Sequence, residues 1–346
     1  MSLLKLLKKK NFVNLFTTPS HSQNFFILSK FRQFYKYDIS ETDAHNPQEA
    51  LKKAEEKASK IYKTKRTHFI TNGSTSGIIC AVLTCVEKDD KILVWKDSHI
   101  CHKNAIKLAG ATPIVYEVKM DENFGIPKAI DIDYIKDLLE EHKPKAIIVT
   151  SPTYEGITSD IKLIKEICKR TDTYLIVDEA HGALYPFSDK LPETSINIAD
   201  FTVQSLHKTA GGLNPTALLH NNTNLDSDKA LELINTTSPS YPLLASIEKN
   251  INYLNSSKGR KKINELIENI KELKENCPNV EFCDYNDVTK ILIKHSSMTG
   301  FELSEKLYEN KIEDEKTNEK SSMLLTGLGT DKQKLKALEK ALKKLN

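Results

Sequence analysis

The sequence predicts an α/β protein: a mainly parallel sheet sandwiched by helices, with a smaller C-terminal α+β domain. Three observations carry that expectation. Short, nearly all-apolar runs recur at Phe69–Thr71, Ile92–Trp95, Pro113–Tyr116, Ala146–Val149, Tyr174–Val177 and Phe201–Gln204. Helical segments lie before or between them, at Ala50–Tyr62, Asp131–His142 and Asp160–Lys169. Of only twelve glycines, eight fall between Gly73 and Gly212, several of them just after the apolar runs. Runs apolar on both faces are parallel strands covered by helices. Glycines that follow such strands mark the rim where open α/β sheets bind ligands.

Along the chain, residues 1–49 are poorly periodic, with an aromatic cluster from Phe25 to Tyr37, and read as an N-terminal arm. Residues 50–260 carry the strand–helix alternation. Leu243 to Cys277 reads as a long helical connection. Residues 261–346 form the linker helix and small domain, with Lys290–Lys294 and Met323–Leu325 as strands and a helix near Gly300–Glu309. In the last helix, Leu335, Leu338, Leu342 and Leu345 share one apolar face.

Composition narrows the function classes. Lys plus Arg total 50 against 47 for Asp plus Glu, a net of +3, so the chain lacks the basic excess of a nucleic-acid binder. Nothing approaches the run of roughly 20 apolar residues that a membrane helix needs. The basic, amphipathic MSLLKLLKKK has no cleavage-site pattern and reads as a terminal helix rather than a targeting signal. Six cysteines with no C-x-x-C pair read as buried free thiols, and a cytoplasmic location is expected.

Five segments on the rim carry chemistry. Asn72-Gly73-Ser74-Thr75-Ser76-Gly77 sets hydroxyls and backbone N–H groups at a helix start, which suits a phosphate, although an ordinary N-cap would look the same. No G-x-x-x-x-G-K-[ST] loop is present, so a Walker-type site is not supported. The helicase-like Asp178-Glu179-Ala180-His181 is therefore rejected as a helicase box. At a strand end, Asp178 suits a cation or a protonated ring nitrogen instead. Lys208, in Gln204-Ser205-Leu206-His207-Lys208-Thr209, follows a buried strand; burial would lower its pKa and make it a Schiff-base nucleophile, the plain alternative being a lysine capping a strand. Ser98-His99-Ile100-Cys101-His102 invites a metal reading, but no second Cys or His pair stands at ligand spacing, so no metal is expected. A stacking imidazole is the better reading. Ser151-Pro152-Thr153-Tyr154-Glu155-Gly156 brings a hydroxyl to the same rim. Pyridoxal 5'-phosphate asks for all of these at once: a lysine, a carboxylate for the ring nitrogen, a phosphate cup and a stacking ring.

With these motifs in place, the chain resembles the Orn/Lys/Arg decarboxylase family of pyridoxal-phosphate enzymes, of the aspartate-aminotransferase-like fold (fold type I). The resemblance runs from about His45 to Tyr241 and rests on NGSTSG (72–77), SPTYEG (151–156), VDEAHGA (177–183), QSLHKTAGGL (204–213) and TSPSY (237–241). It implies that Lys208 forms the internal aldimine, Asp178 pairs with the pyridine nitrogen and His181 sits near the ring's 3'-oxygen. It implies that His99 rather than His102 stacks on the ring. Ser74, Thr75, Ser76, Ser205 and His207 would hold the phosphate, and Thr153 would contact the ring. TSPSY would lie at the interface of a homodimer or higher homo-oligomer.

The implied reaction is decarboxylation of a small-molecule amino acid with a basic side chain (lysine, ornithine or arginine). Another pyridoxal-phosphate lyase or aminotransferase, or an inactive partner subunit, are the alternatives. Two departures touch the substrate side. The family's P-G-H-K-G reads Pro19-Ser20-His21-Ser22-Gln23 here, and the sequence stops at Asn346 without the carboxy-terminal region of long members. One argument is independent of the family. No arginine follows Arg260, which counts against a transaminase that clamps the substrate carboxylate with a small-domain arginine. Glu155 and the acidic stretch Glu313-Asp314-Glu315 are candidates to attract a substrate ammonium, the stretch reading better as solvated surface.

Overall fold

The computed structural model describes residues 2–10, 37–38, 50–285 and 287–345. Most of the expected arm, including Pro19–Gln23 and all of the aromatic cluster except Tyr37, lies outside them. The main sheet has seven strands: β1 (Arg66–Ile70), β2 (Lys91–Trp95), β3 (Thr112–Tyr116), β6 (Ala146–Thr150), β7 (Tyr174–Asp178), β8 (Phe201–Ser205) and β9 (Ala217–Asn221), in the order β1-β9-β8-β7-β6-β2-β3. Only β9 runs antiparallel to its neighbours β1 and β8. A hairpin of β4 (Met120–Asp121) and β5 (Ile126–Pro127) follows β3.

Alternate strand residues enter different cores, the consequence of a period of two in a sheet covered on both faces. Ile92, Val94, Ile148 and Ile176 pack with helices Gly73–Cys85 and Ile100–Ala109. Leu93, Trp95, Ile147 and Val177 pack with helices Ile132–His142 and Ile161–Arg170. Each such side chain contributes about 1.5–3 kcal/mol on burial. The two latter helices begin where Asp131 and Asp160 accept bonds from the Tyr134 and Leu163 amides, a carboxylate placed at the positive end of the helix.

The expected strand runs are all present. In the main sheet, the strand missed by sequence reading is β9, whose ALLHN carries a histidine and an asparagine into the core. Each finds a partner there: His220 Nδ1 lies 2.9 Å from Thr67 Oγ1, and Asn221 Nδ2 donates to Ser227 Oγ at 2.6 Å. The expected single helical connection is two helices, Tyr241–Leu254 and Ser257–Asn276. The break is local: Ser256 Oγ caps the Gly259 amide at 3.1 Å, and a Cβ at Gly259 would stand 2.1 Å from the Tyr253 carbonyl. The expected division at 260/261 falls within the second helix. Helix Leu3–Lys10 docks on Tyr241–Leu254, burying Leu3 and Leu7, with the Leu3 amide donating to Glu248 Oε2 at 2.9 Å.

The second sheet has four strands: β10 (Glu281–Phe282), β11 (Lys290–Lys294), β12 (Lys316–Thr317) and β13 (Ser322–Leu325), in the order β10-β11-β13-β12. Ile291 and Ile293 face helices Gly300–Glu309 and Lys332–Leu342. Leu292 and Met323, on the other face, pack on Phe124, Ile126 and Ile157. That contact sets the small sheet over the loops that follow β3 and β6. Among the described residues, no helix is long and apolar enough to cross a membrane.

Candidate active site

The carboxyl ends of β6, β7 and β8 deliver Thr150, Asp178 and Ser205 to one rim. The cleft there has a volume of about 670 Å³ and is lined from the large sheet by residues including Ser74, Thr75, His99, Asp178, His181, His207 and Lys208. Lys316 and Asn318 line it from the small sheet. Its size suits a cofactor with a small substrate.

Lys208 stands in the single turn Leu206–Thr209 immediately after β8, with Nζ 3.1 Å from His181 Nε2. Burial pushes its pKa below the usual lysine value, although the Asp178 charge pulls the other way. His181 is buried, and burial with the neighbouring Lys208 and Lys290 charges holds its pKa well below the ordinary value. It is therefore neutral at pH 7 and accepts from the Lys208 ammonium.

Asp178 is buried at the end of β7. Burial alone would raise its pKa, yet the hydrogen bond and charge of His102, with the Lys208 charge and the Ala180 amide, hold it below the usual carboxylate value. His102 is wholly buried, and its Nε2 lies 2.9 Å from Asp178 Oδ2. His99 caps helix Ile100–Ala109, its Nδ1 accepting from the Cys101 amide at 3.2 Å, and its ring lines the cleft. The two histidines are thus divided between the cleft wall and the carboxylate beneath it.

Cys101, His102 and Asp178 offer three ligand atoms within 4.8 Å of one another. Burial pushes the Cys101 thiol up to about 12, so no thiolate is available at neutral pH. The His102 nitrogen is already engaged on the carboxylate.

Of the expected site residues, Ser76, Thr153 and Ser205 do not line the cleft. Ser76 is buried in the helix, and its hydroxyl turns back to the Asn72 carbonyl at 3.4 Å, the i−4 bond usual for a helical serine. Thr153 Oγ1 accepts the Ile157 amide at 3.2 Å within its own loop. Ser205 is fully buried beneath the rim, and its Oγ has no hydrogen-bond partner. His207 lines the cleft while its Nδ1 donates to the Thr216 carbonyl at 3.1 Å. The start of helix Gly73–Cys85 is open as well, because the Asn72 side chain makes no capping bond.

Sequence reasoning gave no role to Tyr154, Lys290 or Lys316. The Tyr154 ring packs on His181 at 4.5 Å between centroids, with Lys208 Nζ 5.9 Å and Lys316 Nζ 5.1 Å from its centre. SPTYEG contained Tyr154, but an aromatic in a turn has no distinctive signal. Lys316 sits in a charged run that looks solvated. That run is in fact mixed. Asp314 accepts from Ser304 Oγ and Ser322 Oγ at 2.8 and 2.7 Å, and the exposed Glu315 accepts from the Tyr154 hydroxyl.

The family model for "Orn/Lys/Arg decarboxylase, major domain" matches residues 14–297. The chain belongs to the Orn/Lys/Arg decarboxylase family. An arginine decarboxylase of Halalkalibacterium halodurans is 29% identical over 326 residues, 88% of this chain and 66% of that protein. An arginine decarboxylase of Bacillus subtilis is 31% identical over 248 residues, 67% of this chain and 51% of that protein. The chain spans about half to two thirds of the length of the curated relatives it matches. In shape it is similar to the Francisella novicida lysine decarboxylase LdcF, with a TM-score of 0.87 at 20% identity, over 99% of this chain and 59% of that one. This member of the family therefore has the expected α/β fold, and NGSTSG, SPTYEG, VDEAHGA and QSLHKTAGGL meet in one cleft.

Proposed function

We propose that this chain binds pyridoxal 5'-phosphate on Lys208 and decarboxylates an amino acid with a basic side chain. The observation that carries the reading is the pairing of a lysine whose pKa burial lowers with a buried carboxylate that His102 holds ionised, on one cleft wall. The phosphate end fits as well. The uncapped helix start with Ser74 and Thr75, and the unpartnered Ser205 hydroxyl, would supply donors for an anion. His99 would flank the ring.

When bound, the cofactor supplies an electron sink for the pair left when the Cα–carboxylate bond breaks. The protein's part is to bind and to place protons. Asp178, ionised at neutral pH, would stabilise positive charge on the cofactor's ring nitrogen. Lys208 Nζ and His181 Nε2, 3.1 Å apart in the cleft, can hold and exchange one proton. The balance is an amino acid and a proton giving an amine and carbon dioxide. Tyr154 and the small sheet close one side of the cleft against water. The working form is a homodimer or larger, with residues 237–241 at the interface; light scattering would report a monomer if this is wrong.

The reaction is tested by incubating the protein and pyridoxal phosphate with lysine, ornithine, arginine and neutral and acidic amino acids, then weighing the products. An amine one carbon dioxide lighter than its parent is expected, and an oxo acid would make the chain an aminotransferase. Borohydride reduction followed by peptide mass mapping should put the cofactor on Lys208. Retention of reducible cofactor by Lys208→Ala would sink the assignment.

A further inference from the structure

We propose that Glu155 recognises the distal cation of the substrate and that Lys316 is a displaceable stand-in for it. This rests on the proposed basic substrate and names the group that would select it. The Glu155 carboxylate is 4% exposed and lines the cleft. A carboxylate withdrawn from water needs a cation beside it. Lys316 supplies one, with Nζ 2.5 Å from Glu155 Oε1. The two sides of this pair are unlike: the Glu155 side chain is 5% exposed and the Lys316 side chain 49%. The acid has already been desolvated by the fold, whereas the lysine keeps half its water and leaves at little cost. Lys316 also begins β12, a two-residue strand at the edge of the small sheet, where an unbranched side chain has room to swing away.

Tyr154 lies beside both ends of the proposed subsite. The Lys208 and Lys316 ammonium groups both lie within 6 Å of the Tyr154 ring centre. A ligand held at Lys208 therefore shares one cleft with Glu155, beside the Tyr154 ring. The stem of lysine or ornithine would lie along Tyr154, an apolar face that also attracts a cation. The position tells against Lys316 acting as a carboxylate clamp. Its charge is taken by Glu155, and a ligand carboxylate approaching it would meet a second carboxylate at contact distance.

The test is calorimetric titration of the cofactor-loaded protein with 1,5-diaminopentane and with 1-aminopentane. These differ only in the distal amine and carry no carboxylate. Wild type should bind the diamine about ten-fold tighter or better, the range of a charge-assisted hydrogen bond. Glu155→Gln should reduce the diamine to the level of the monoamine while leaving the monoamine unchanged. Lys316→Met should keep or enlarge the diamine preference, because the competing cation is gone. Equal binding of the two amines by wild type overturns the proposal, as does a preference that survives Glu155→Gln. Loss of preference in Lys316→Met would overturn the exchange and make Lys316 the contact. If Glu155→Gln fails to fold, Glu155→Asp keeps the charge with a shorter reach and should favour 1,6-diaminohexane over 1,5-diaminopentane; an unchanged order refutes the assignment. The parent reading fails separately. Amine production from a neutral amino acid with no diamine preference would sink recognition and keep decarboxylation. A Glu155-dependent preference without any amine product would do the reverse.

Discussion

The small sheet meets the loops of the large sheet through two lysines in very different surroundings. Lys290, first residue of β11, is wholly buried. It donates to Asp287 Oδ2 at 2.6 Å, Thr289 Oγ1 at 3.1 Å and the His181 carbonyl at 2.8 Å. Asp287 is wholly enclosed too, accepting from the Tyr185 hydroxyl at 2.8 Å and from both the Thr289 amide and hydroxyl at 2.8 Å. Lys316, first residue of β12, reaches Glu155 with half of its side chain in water. Where the whole pair is desolvated, every lone pair and proton must be used and no member can move. Where one side stays wet, the bond can be exchanged. The inner seam is thus fitted to hold His181 still, and the outer one to admit a ligand.

Four measurements would break or sharpen this contrast. The largest effect is expected for Lys290→Met, which leaves the Asp287 carboxylate buried without its ammonium: a loss of about 3–5 kcal/mol in urea denaturation. His102→Leu follows at about 2 kcal/mol, the worth of a hydrogen bond to a charged group. It also has a pH signature. Burial raises and His102 lowers the Asp178 pKa, with a net lowering. The stabilisation is therefore present above the unfolded carboxylate pKa and is lost as pH falls through the lower folded value. Without His102 the folded value rises, so cofactor retention measured down a pH series should fail at higher pH than in wild type. Tyr185→Phe removes one of the donors to Asp287 and should cost about 1 kcal/mol, read as a fall in melting temperature. Lys316→Met should change stability by less than about 1 kcal/mol in the same assay. A Lys316→Met loss as large as that of Lys290→Met would erase the distinction between the seams.

A glycine shows how closely the inner seam is built. Gly156 closes the SPTYEG loop at φ +92°, and a Cβ there would stand 3.0 Å from both the Asp287 amide nitrogen and its Cβ. The Asp287 amide donates to the Gly156 carbonyl at 2.8 Å. The motif was visible as turn chemistry; that it is the landing place of the small sheet was not.

Local signals were legible because they are set by neighbours in the chain. The apolar runs gave the strands of the main sheet except β9, and Asp131 and Asp160 gave helix starts. The order of the motifs along the chain brought Lys208, Asp178, His181 and His99 to one rim, since parallel strands deliver their ends to the same side. Tertiary structure alone decided the rest. His102 finds Asp178 across 76 residues, Lys290 finds the His181 carbonyl across 109, and Lys316 finds Glu155 across 161. In sequence, Lys290 and Lys316 are two among many lysines, one heading an apolar strand and the other within a charged run. Hydrophobic period reports which face of its own element a residue occupies. It carries no information about which distant acid faces it, and at these seams burial and partner together separate a fixed lysine from an exchangeable one.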